Sequence, residues 1–497
     1  MNHLFGIALA FVAFGVFGRG ILKRSKGKSF NPMPAFLLMI GAAVYHLFGD
    51  FSVVDKLSKL LVDFGVGMTA ASFLLIANKS RARLLWVPGL LALVMGGGIW
   101  GLTQGFRWMG AEDDVVLLVE LGPDDLISEI EPILDQYNAD YERAFKNVDL
   151  SENVDLAQYY IVSVPAQHEK ALSHALRMDR ENVDQLEVNH PVELIRPENS
   201  PLEINREGRF LANDPYLANQ WWAEPLEYNA SYELLKNHKP KRKAKVAIVD
   251  TGVDQGHEDL SPVYKKSGTK GDQDTHSHGT HCAGLAGAAT NNGIGIGSLN
   301  YDGAFITISG FPALDSYGRG TDYTVSKAII DAAESGADVI SMSLGGYSPV
   351  PPKSQVDAIK YARKLGAIVI VAAGNSNDNA KLYSPANISG VITVAAVDEN
   401  LNKAVFSNTN NQLKMPIAAP GVNCLSSIPG SEYKQYSGTS MATPVAAGLL
   451  GILKAYNPDL TAEQAYQILH DTGKTVKDSK RIGNVIMPLS AIKAVLK

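Results

Sequence analysis

The chain has 497 residues, with 45 lysines and arginines against 51 aspartates and glutamates. The formal net charge of −6 gives no reason to expect a nucleic acid as partner. Two cysteines, Cys282 and Cys424, exclude a disulfide framework beyond one bridge, and the sequence leaves open whether they pair.

Residues 1–105 contain four apolar runs, which predict a membrane domain of four transmembrane helices. The runs are Leu4–Phe17, Pro34–Phe48, Leu57–Ala77 and Leu84–Leu102. The alternative is a buried soluble helix bundle, but most of these runs lack the polar face that such a bundle needs. The sequence therefore predicts the lipid bilayer as one partner of this protein.

The loops of this region predict its orientation. Basic loops follow the first and third runs, whereas the loop after the second run is mixed and the fourth run leads into an acidic segment. The positive-inside rule then places both termini, and the large C-terminal part, outside the cytoplasm. The first run has no charged n-region, so an uncleaved anchor is expected rather than a signal peptide.

A small acidic domain is predicted over residues 111–196. From Ala111 to Tyr160 there are 14 acidic residues against Arg143 and Lys146, a net charge of −12. The apolar residues are nevertheless periodic, with strands at Val115–Leu121 and in "AQYYIVSVP" and a helix placing Leu126, Ile130, Ile133 and Leu134 on one face. A second helix, "EKALSHALRM", and a short edge strand near Tyr141–Phe145 complete a β-α-β-β-α-β order of ferredoxin type.

Residues 197–212 are predicted to be a linker, because the polar segment Arg196–Gly208 is rich in proline, glutamate and asparagine. Such a segment is a plausible cleavage region. Beyond it, residues 213–497 alternate apolar strands with amphipathic helices, which predicts a mostly parallel sheet covered by helices on both faces. Functional residues of such sheets collect at the carboxyl ends of strands.

Four residues of the large domain could together perform acyl transfer. Asp250 ends the strand "VAIVD", Asn375 ends "IVIVAAGN", His278 lies in a loop, and Ser440 opens an apolar helix. Each has an ordinary structural explanation when taken alone; a serine at a helix start is usually a cap. In combination they offer a nucleophile, a base, an orienting carboxylate and an oxyanion donor.

The blocks around these residues resemble the subtilisin-like serine proteases, the subtilases. They are "VAIVDTGVD", "HSHGTHCAG" and "SGTSMATPVAAG", in that order, with "AAGN" resembling the oxyanion block. The resemblance covers about Asn213–Lys497 and implies a serine endopeptidase acting on protein or peptide substrates. It also implies substrate-binding segments at Ser343, Leu344 and Gly345 and at Gly318, Arg319 and Gly320, between which a peptide adds as a strand.

The resemblance further implies a calcium site. Its side-chain ligands would be Asp214, Asp259 and Asn292, and the backbone carbonyls of Thr290, Ile294 and Ile296 would complete an all-oxygen set. An Asn-Gly turn without metal is the alternative. The acidic domain resembles subtilase propeptides, which act as folding chaperone and temporary inhibitor. Its C-terminal segment, about Val192–Gly208, would lie in the active site, with cleavage shortly before Asn213.

Two rival functions remain for the site. One is a catalytically silent subtilase-fold binding module, which would have lost a triad residue; none is lost. The other is a metal-binding membrane sensor using His276, His278, His281 and Cys282, but zinc sites typically contain pairs such as Cys-x-x-Cys, and no such pair occurs here. The sequence predicts His278 as the base, His281 as a structural hydrogen-bonding residue and His276 as a solvated loop residue. Cys282 resembles a free buried cysteine beneath the catalytic imidazole.

Overall fold

The computed structural model describes residues 114–149, 151, 153–194 and 210–497, with the backbone of residues 198–200. The predicted membrane domain, residues 1–105, lies outside these described residues. Within the described ranges, no helix combines the length and the apolar character that crossing a bilayer requires. Val115–Lys497 forms one compact unit.

The N-terminal part of this unit is a small four-stranded antiparallel sheet with the order β2-β3-β1-β4. Its elements are β1 (Val115–Leu121), α1 (Ile127–Gln136), β2 (Asp140–Arg143), α2 (Val154–Ala157), β3 (Tyr159–Val164), α3 (Glu169–Met178) and β4 (Val183–Val188). The structure confirms the predicted β-α-β-β-α-β order, with a short extra helix before β3. This sheet and its helices are called the small domain below.

The core of the small domain lies between its sheet and helices α1 and α3. Ile130 and Leu134 of α1 are buried against this core, as the helical spacing predicts. The prediction for Leu126 is wrong: it precedes the first turn of α1 and is 64% exposed. Leu126 therefore lies outside the apolar face of the helix.

Two short strands continue from the small domain and pair with the rest of the unit. β5 (Pro191–Glu193) runs antiparallel to β9 (Arg319–Thr321). β6 (Glu198–Ser200) runs antiparallel to β17 (Glu432–Ser437). Two extended segments that follow the small domain are thus paired with strands of the large domain.

The large domain is built on a seven-stranded sheet whose neighbouring strands are all parallel. Listed in the order of the sheet, its strands are β18 (Asn484–Val485), β15 (Pro416–Pro420), β14 (Ile392–Val397), β12 (Ile368–Ala372), β10 (Val339–Met342), β7 (Ala244–Asp250) and β8 (Ile306–Pro312). Every residue of β7, β10, β12 and β14 is buried, so both faces of the sheet are covered. The predicted parallel α/β architecture is confirmed.

Helices and short strands complete the large domain. The helices are α4 (Tyr228–Asn237), α5 (His278–Gly287), α6 (Asp322–Glu334), α7 (Lys353–Lys364), α8 (Thr439–Tyr456), α9 (Ala462–Thr472), α10 (Ser479–Ile482) and α11 (Pro488–Val495). The remaining strands are β11 (Gly346–Tyr347), which pairs with β13 (Tyr383–Ser384), and β16 (Cys424–Ile428), which pairs with β17.

Helix α8 lies at the centre of the large domain. All 18 of its residues are buried, and it packs on α5 and on six strands of the parallel sheet. The contact with α5 is close, because a Cβ on Gly448 would lie 2.4 Å from the carbonyl oxygen of Ala286. This packing brings the first residues of α5 and α8 to the same edge of the sheet.

Candidate active site

Three predicted site residues lie at or just after the carboxyl ends of adjacent strands of the parallel sheet. Asp250 is the last residue of β7, Ser343 comes directly after β10, and Asn375 comes three residues after β12. Because these strands are neighbours and run parallel, their carboxyl ends form one edge. The structure therefore brings together residues that are up to 125 positions apart in the sequence.

Two glycines allow His278 to approach the end of β7. A Cβ on Gly279 would lie 2.0 Å from the carbonyl oxygen of Gly252, so only glycine fits at this contact. Gly252 itself has φ +116°, a conformation that side chains rarely adopt. The first turn of α5 thus rests directly on the backbone that follows Asp250.

A hydrogen-bond network through Asp274 fixes the start of α5. The Asp274 carboxylate accepts hydrogen bonds from the backbone N–H groups of His276, Ser277 and Thr280 at 2.9 to 3.0 Å. It also accepts a bond of 3.0 Å from the Thr251 hydroxyl, which in turn accepts one from Gly279 N. The network joins the helix to the residue that follows Asp250 and holds His278 in position.

Asp250 and His278 form a fully buried pair. Nδ1 of His278 donates to both oxygens of Asp250, at 2.8 and 2.9 Å, and neither side chain is exposed. Burial alone would lower the pKa of His278, but the adjacent Asp250 carboxylate outweighs it, and the pKa lies well above its ordinary value. When the imidazole is neutral and carries its proton on Nδ1, the lone pair of Nε2 faces the opposite side, away from Asp250.

Ser440 is the second residue of α8 and lies on that same edge of the sheet. Its hydroxyl donates to the carbonyl oxygen of Ser343 at 3.1 Å, while the Ser343 hydroxyl donates to Ser440 O at 2.8 Å. Nε2 of His278 is buried and makes no hydrogen bond with any described residue. The serine and histidine are therefore placed for proton transfer only after the Ser440 hydroxyl turns from Ser343 toward His278.

The three histidines of "THSHGTHC" have different surroundings. His281 is buried, donates from Nε2 to Lys434 O at 3.0 Å and stacks on Tyr436, as expected of a structural residue. Burial lowers its pKa to about 3, so it stays neutral. His276 lies in a loop, as predicted, but it is half-buried rather than fully solvated, because Gly318 lies beside its ring.

Both cysteines are free and buried, which settles the pairing that the sequence left open. Sγ of Cys282 lies 3.9 Å from His278 Nδ1 and 3.4 Å from Ser440 O, at the predicted place beside the imidazole. Burial raises the pKa of Cys282, so it is a neutral thiol that fills space. Asp250, His278 and Cys282 are the one potential metal-ligating trio found among the described residues.

The side chain of Asn375 has a fixed orientation. Its Oδ1 accepts hydrogen bonds from the backbone N–H and the hydroxyl of Thr439, at 2.9 and 2.8 Å. Nδ2 consequently faces the other way, beside Gly438, where a Cβ would lie 3.3 Å from it. The same point lies 3.6 Å from the backbone nitrogen of Ser440, so two N–H groups, one from each residue, lie side by side at the start of α8.

The two predicted substrate segments have different surroundings. Ser343, Leu344 and Gly345 line a cavity together with Asn375 and Ser440. Gly318, Arg319 and Gly320 lead into and form part of β9, the strand that pairs with β5. Gly318 O also accepts a hydrogen bond of 2.8 Å from Leu194 N. One segment is thus open to a ligand, and the other is engaged by the chain itself.

The predicted metal ligands also meet in space, around the loop of residues 290–296. Asp214 accepts hydrogen bonds from Asn291 N and Asn292 N, at 2.8 and 3.3 Å. Asp259 accepts from Asn292 Nδ2 at 3.0 Å and from Ile296 N at 2.8 Å. Burial, and then the neighbouring Asp214, raise the pKa of Asp259 to about 6, although hydrogen bonds oppose the shift.

This loop is compatible with a hard cation. Both carboxylates are buried, and neither forms an ion pair with a lysine or arginine within the described residues. Gly295 has φ +49°, and a Cβ there would lie 2.1 Å from Asp259 Oδ2, so the loop folds tightly around this oxygen. Two uncompensated carboxylates and a wrapped loop of carbonyl groups suit an oxygen-preferring ion such as Ca²⁺.

A buried carboxylate, an imidazole bonded to it and a nearby serine, beside an amide donor, are the arrangement of a serine hydrolase. The subtilase family model matches residues 241–484 of the chain. Thermitase of Thermoactinomyces vulgaris is 38% identical over 250 residues, which are 49% of this chain and 85% of thermitase. Subtilisin DY of Bacillus licheniformis is 35% identical over 253 residues, or 50% of this chain and 89% of that protein.

Solved structures extend the comparison. A protease from Pseudoalteromonas arctica is 28% identical with a TM-score of 0.51, over 57% of this chain and 99% of its own. The epidermin leader peptide processing serine protease of Staphylococcus aureus gives a TM-score of 0.59 over 77% of this chain and 99% of its own, at 21% identity. The latter shows a likeness of fold that reaches beyond the segment matched by sequence.

The chain belongs to the subtilase family, and it is a serine endopeptidase.

Proposed function

We propose that this enzyme hydrolyses peptide bonds through an Asp250–His278–Ser440 triad and an acyl-enzyme. The observation that carries the proposal is the buried Asp250–His278 pair at 2.8 Å, with Ser440 at the same edge of the sheet. His278 Nε2 takes the proton of the Ser440 hydroxyl as the serine attacks the carbonyl carbon, and later gives it to the leaving amine. Asp250 holds the tautomer and stabilises the imidazolium that forms.

The oxyanion of the tetrahedral intermediate would be bound by Asn375 Nδ2 and the backbone N–H of Ser440. Thr439 fixes the Asn375 amide before substrate arrives, at 2.8 and 2.9 Å, so no reorganisation is needed during the reaction. Preorganised donors of this kind contribute on the order of 3 kcal/mol each to the barrier reduction. The peptide would lie as a strand between residues 318–320 and residues 343–345.

The small domain would act as an inhibitory propeptide in a zymogen. Strand β5, which follows the small domain, pairs with β9. The hydrogen bond from Leu194 N to Gly318 O extends this pairing by one residue. β6 pairs with β17, which ends three residues before Ser440. Both segments have the extended form expected of a substrate, and in this proposal they block access to Ser440. The maturation cleavage is expected within residues 197–212.

Contacts distant from the active site support the same role. The small domain caps two helices of the large domain: Asn189 Oδ1 accepts from Tyr323 N at 3.0 Å, and Glu187 accepts from Ser354 N at 3.2 Å. Lys353 Nζ donates to Glu120 Oε1 at 2.6 Å and to Asp357 at 2.7 Å. An amide oxygen and a carboxylate at helix N-termini, together with a partly buried ion cluster, support a specific docking surface here.

Calcium would bind at the 290–296 loop with a structural role. Asp214, Asp259 and Asn292 would hold it with the carbonyl oxygens of Thr290, Ile294 and Ile296. The raised pKa of Asp259 supports the proposal, because it shows that burial disfavours the ionised carboxylate. A divalent cation nearby would offset the cost of burying two negative charges. The ion would fix Asp214, and with it the start of the large domain, on the loop.

The four apolar runs of residues 1–105 would anchor the enzyme in a membrane as a multi-pass protein, with the catalytic domain outside the cytoplasm. Cleavage in residues 197–212 would then separate the protease from its anchor. Membrane flotation of the mature and unprocessed species tests this proposal. Mature enzyme that floats with the membrane after processing would show that cleavage does not release it.

The triad is tested by expressing the full chain, letting it mature, and labelling the processed enzyme with a fluorophosphonate, which reacts with an activated serine. We expect mass spectrometry to find the label on Ser440, and Ser440→Ala to remove it. Ser389→Ala is the matched control, because this serine is exposed and distant from the sheet edge. Folded, unblocked enzyme that takes no label, or a Ser440→Ala variant that still does, would contradict the proposal.

A further inference from the structure

A buried amide joins three elements of the large domain. Gln355, the third residue of α7, is 2% exposed. Its Nε2 donates to Asp322 Oδ1 at 2.9 Å, and its Oε1 accepts from Ser384 Oγ at 3.0 Å. Asp322 and Ser384 are buried as well, so both hydrogen bonds are shielded from water. Because Asp322 belongs to α6 and Ser384 to β13, the amide connects α6, α7 and β13.

The Asp322 end of this connection lies next to one substrate segment. Asp322 is the first residue of α6 and follows β9 (Arg319–Thr321) directly. Thr321 N donates to Thr324 Oγ1 at 2.8 Å, and Thr324 N donates to Thr321 Oγ1 at 3.3 Å, which fixes the strand to the start of the helix. A shift of Asp322 would therefore move the segment of residues 318–320 with it.

The Ser384 end lies against the other substrate segment. Ser384 of β13 pairs with Gly346 of β11, the residue that follows Gly345. A Cβ on Gly345 would lie 2.7 Å from Ser384 O, so the two backbones are in contact. Ser384 and its neighbour Tyr383 also line the cavity beside Ser440. A shift of Ser384 would therefore move the segment that ends at Gly345.

A peptide that adds as a strand between two segments needs a fixed width. Neighbouring strands lie about 4.7–4.9 Å apart, so the two segments must stay roughly 10 Å apart to pair with a peptide on both sides. The Gln355 amide links the residue that follows one segment to the residue that abuts the other. It is placed to hold this width.

We infer that Gln355 is a positioning residue for substrate binding, because its amide ties Asp322 to Ser384 and so sets the spacing of the two segments that hold the peptide. The inference rests on the proposed binding of the peptide between residues 318–320 and 343–345. Gln355 acts through its two partners and does not touch the reacting atoms. Its loss should weaken peptide binding and leave the chemistry at Ser440 unchanged.

The first test compares processed wild-type enzyme with Gln355→Met, which keeps the length of the side chain and loses both hydrogen bonds. KM for a peptide of several residues is expected to rise about tenfold, with kcat nearly unchanged. Labelling by a fluorophosphonate that carries no peptide should proceed at the wild-type rate. Ser384→Ala removes the same bond from its other end and should raise KM alike, which decides the matter if Gln355→Met does not fold.

Gln220→Met is the matched control. Gln220 is also buried, and its amide also bridges two segments, donating to Leu425 O at 3.4 Å and accepting from Gly297 N at 2.9 Å. These partners lie in neither substrate segment. The variant should lose stability toward denaturant and keep the wild-type KM. An equal rise of KM in both glutamine variants would assign the effect to general loss of packing and overturn the inference.

Gln355→Glu separates positioning from packing through its pH dependence. The new carboxyl can still accept from Ser384, but it faces the carboxyl of Asp322. The two groups share a proton in mild acid and repel each other once both are ionised. The ratio of variant to wild-type kcat/KM should be near one at about pH 5 and fall about tenfold by about pH 8. The ratio for Gln355→Met should not change with pH.

Other charges are controlled by the design. His190 and Glu187 also act on Asp322, but they leave with the small domain, so processed enzyme is used. The titration of His278 is common to variant and wild type and cancels in the ratio. An unchanged KM in folded Gln355→Met, or a Gln355→Glu ratio that is constant with pH, would overturn the inference. Absence of labelling in wild type would instead contradict the proposed triad, so the two failures are distinguishable.

Discussion

Replacing Lys353 by methionine is expected to loosen the small domain from the large one. Lys353 Nζ lies 2.6 Å from Glu120 of the small domain and 2.7 Å from Asp357 of its own helix. Glu120 and Asp357 are only 4% and 3% exposed, so without the lysine two carboxylates face each other in a buried site. The substitution keeps most of the length and the apolar stem of the side chain.

The size of the effect follows from burial. Removing one partner of a buried ion pair costs about 3–5 kcal/mol. Lys353 is itself 38% exposed, so solvent screens part of this interaction, and about 2–3 kcal/mol is a reasonable expectation. Since about 1.4 kcal/mol corresponds to a factor of ten, the open fraction of the zymogen should rise roughly 30- to 150-fold.

The assay is the rate at which a fluorophosphonate labels Ser440 in unprocessed chains. A gel separates these chains from processed ones, so only molecules that still carry the small domain are scored. Labelling requires the domain to open, and its rate reports the open fraction. Lys353→Met should therefore label about 30 to 150 times faster than wild type.

Lys360→Met is the matched control. Lys360 also contacts Asp357, at 3.1 Å, but its side chain is 66% exposed. Within the described residues it forms no ion pair with Glu120. We expect it to label at the wild-type rate. Equal rates for Lys353→Met and wild type would refute the reasoning, and so would an equal acceleration in both lysine variants.

Two further outcomes are expected. Asn375→Ala should lower kcat by about 10²–10³-fold with little change in KM, because it removes a donor that acts mainly in the transition state; a proportional rise in KM instead would point to ground-state binding. The pKa of Asp259 is raised to about 6, so the protonated carboxyl stabilises the fold and the ionised one does not. In calcium-free buffer, the contribution of Asp259 to the free energy of unfolding should therefore fall by about 3 kcal/mol as pH rises from about 4 to about 6.5. Asp259→Asn should flatten this pH dependence, and saturating calcium should abolish it in wild type. Chemical denaturation at each pH measures the free energy of unfolding in both experiments. If calcium leaves the pH dependence of wild type unchanged, the result would argue against the metal site.

The framework of the site was predictable because it depends on regular structure. A continuous apolar run predicts a buried parallel strand, and the carboxyl ends of such strands meet at one edge. Asp250 and Asn375 follow from this rule and from their place after "VAIVD" and "IVIVAA". Ser440 follows from the apolar helix that it opens. The ferredoxin-type order of the small domain was predictable for the same reason, since its two periodicities are clear.

The sequence could not predict contacts between side chains and distant backbone. Asp274 is one example, because its hydrogen bonds to Thr251 and to the start of α5 depend on a loop conformation. Tyr383 is another: it reaches the cavity from a short strand whose position depends on the pairing of β13 with β11. The hydrogen bond from Ser440 to Ser343 O is a matter of side-chain rotation, for which no residue pattern exists.

Some errors have a simple physical cause. Leu126 fits the helical spacing of α1, but the helix begins one residue later and leaves it exposed. His276 was expected to be a solvated loop residue; it does lie in a loop, yet Gly318 packs beside it and half-buries it. Neighbours in space decided both cases, and a single sequence does not reveal them.

The burial of α8 has a consequence for how the enzyme folds. A helix that is apolar on all sides has no stable exposed form, so it can settle only when the sheet and α5 already surround it. Its contacts span most of the large domain in sequence, and contacts of long sequence separation form slowly. We therefore expect Ser440 to reach its working position only when the sheet and α5 have assembled around α8, so that protease activity appears with the folded domain. In the folded enzyme, Ser440 can be displaced only by opening the core around α8. Loss of protease activity on heating or in denaturant should therefore follow global unfolding rather than local fluctuation.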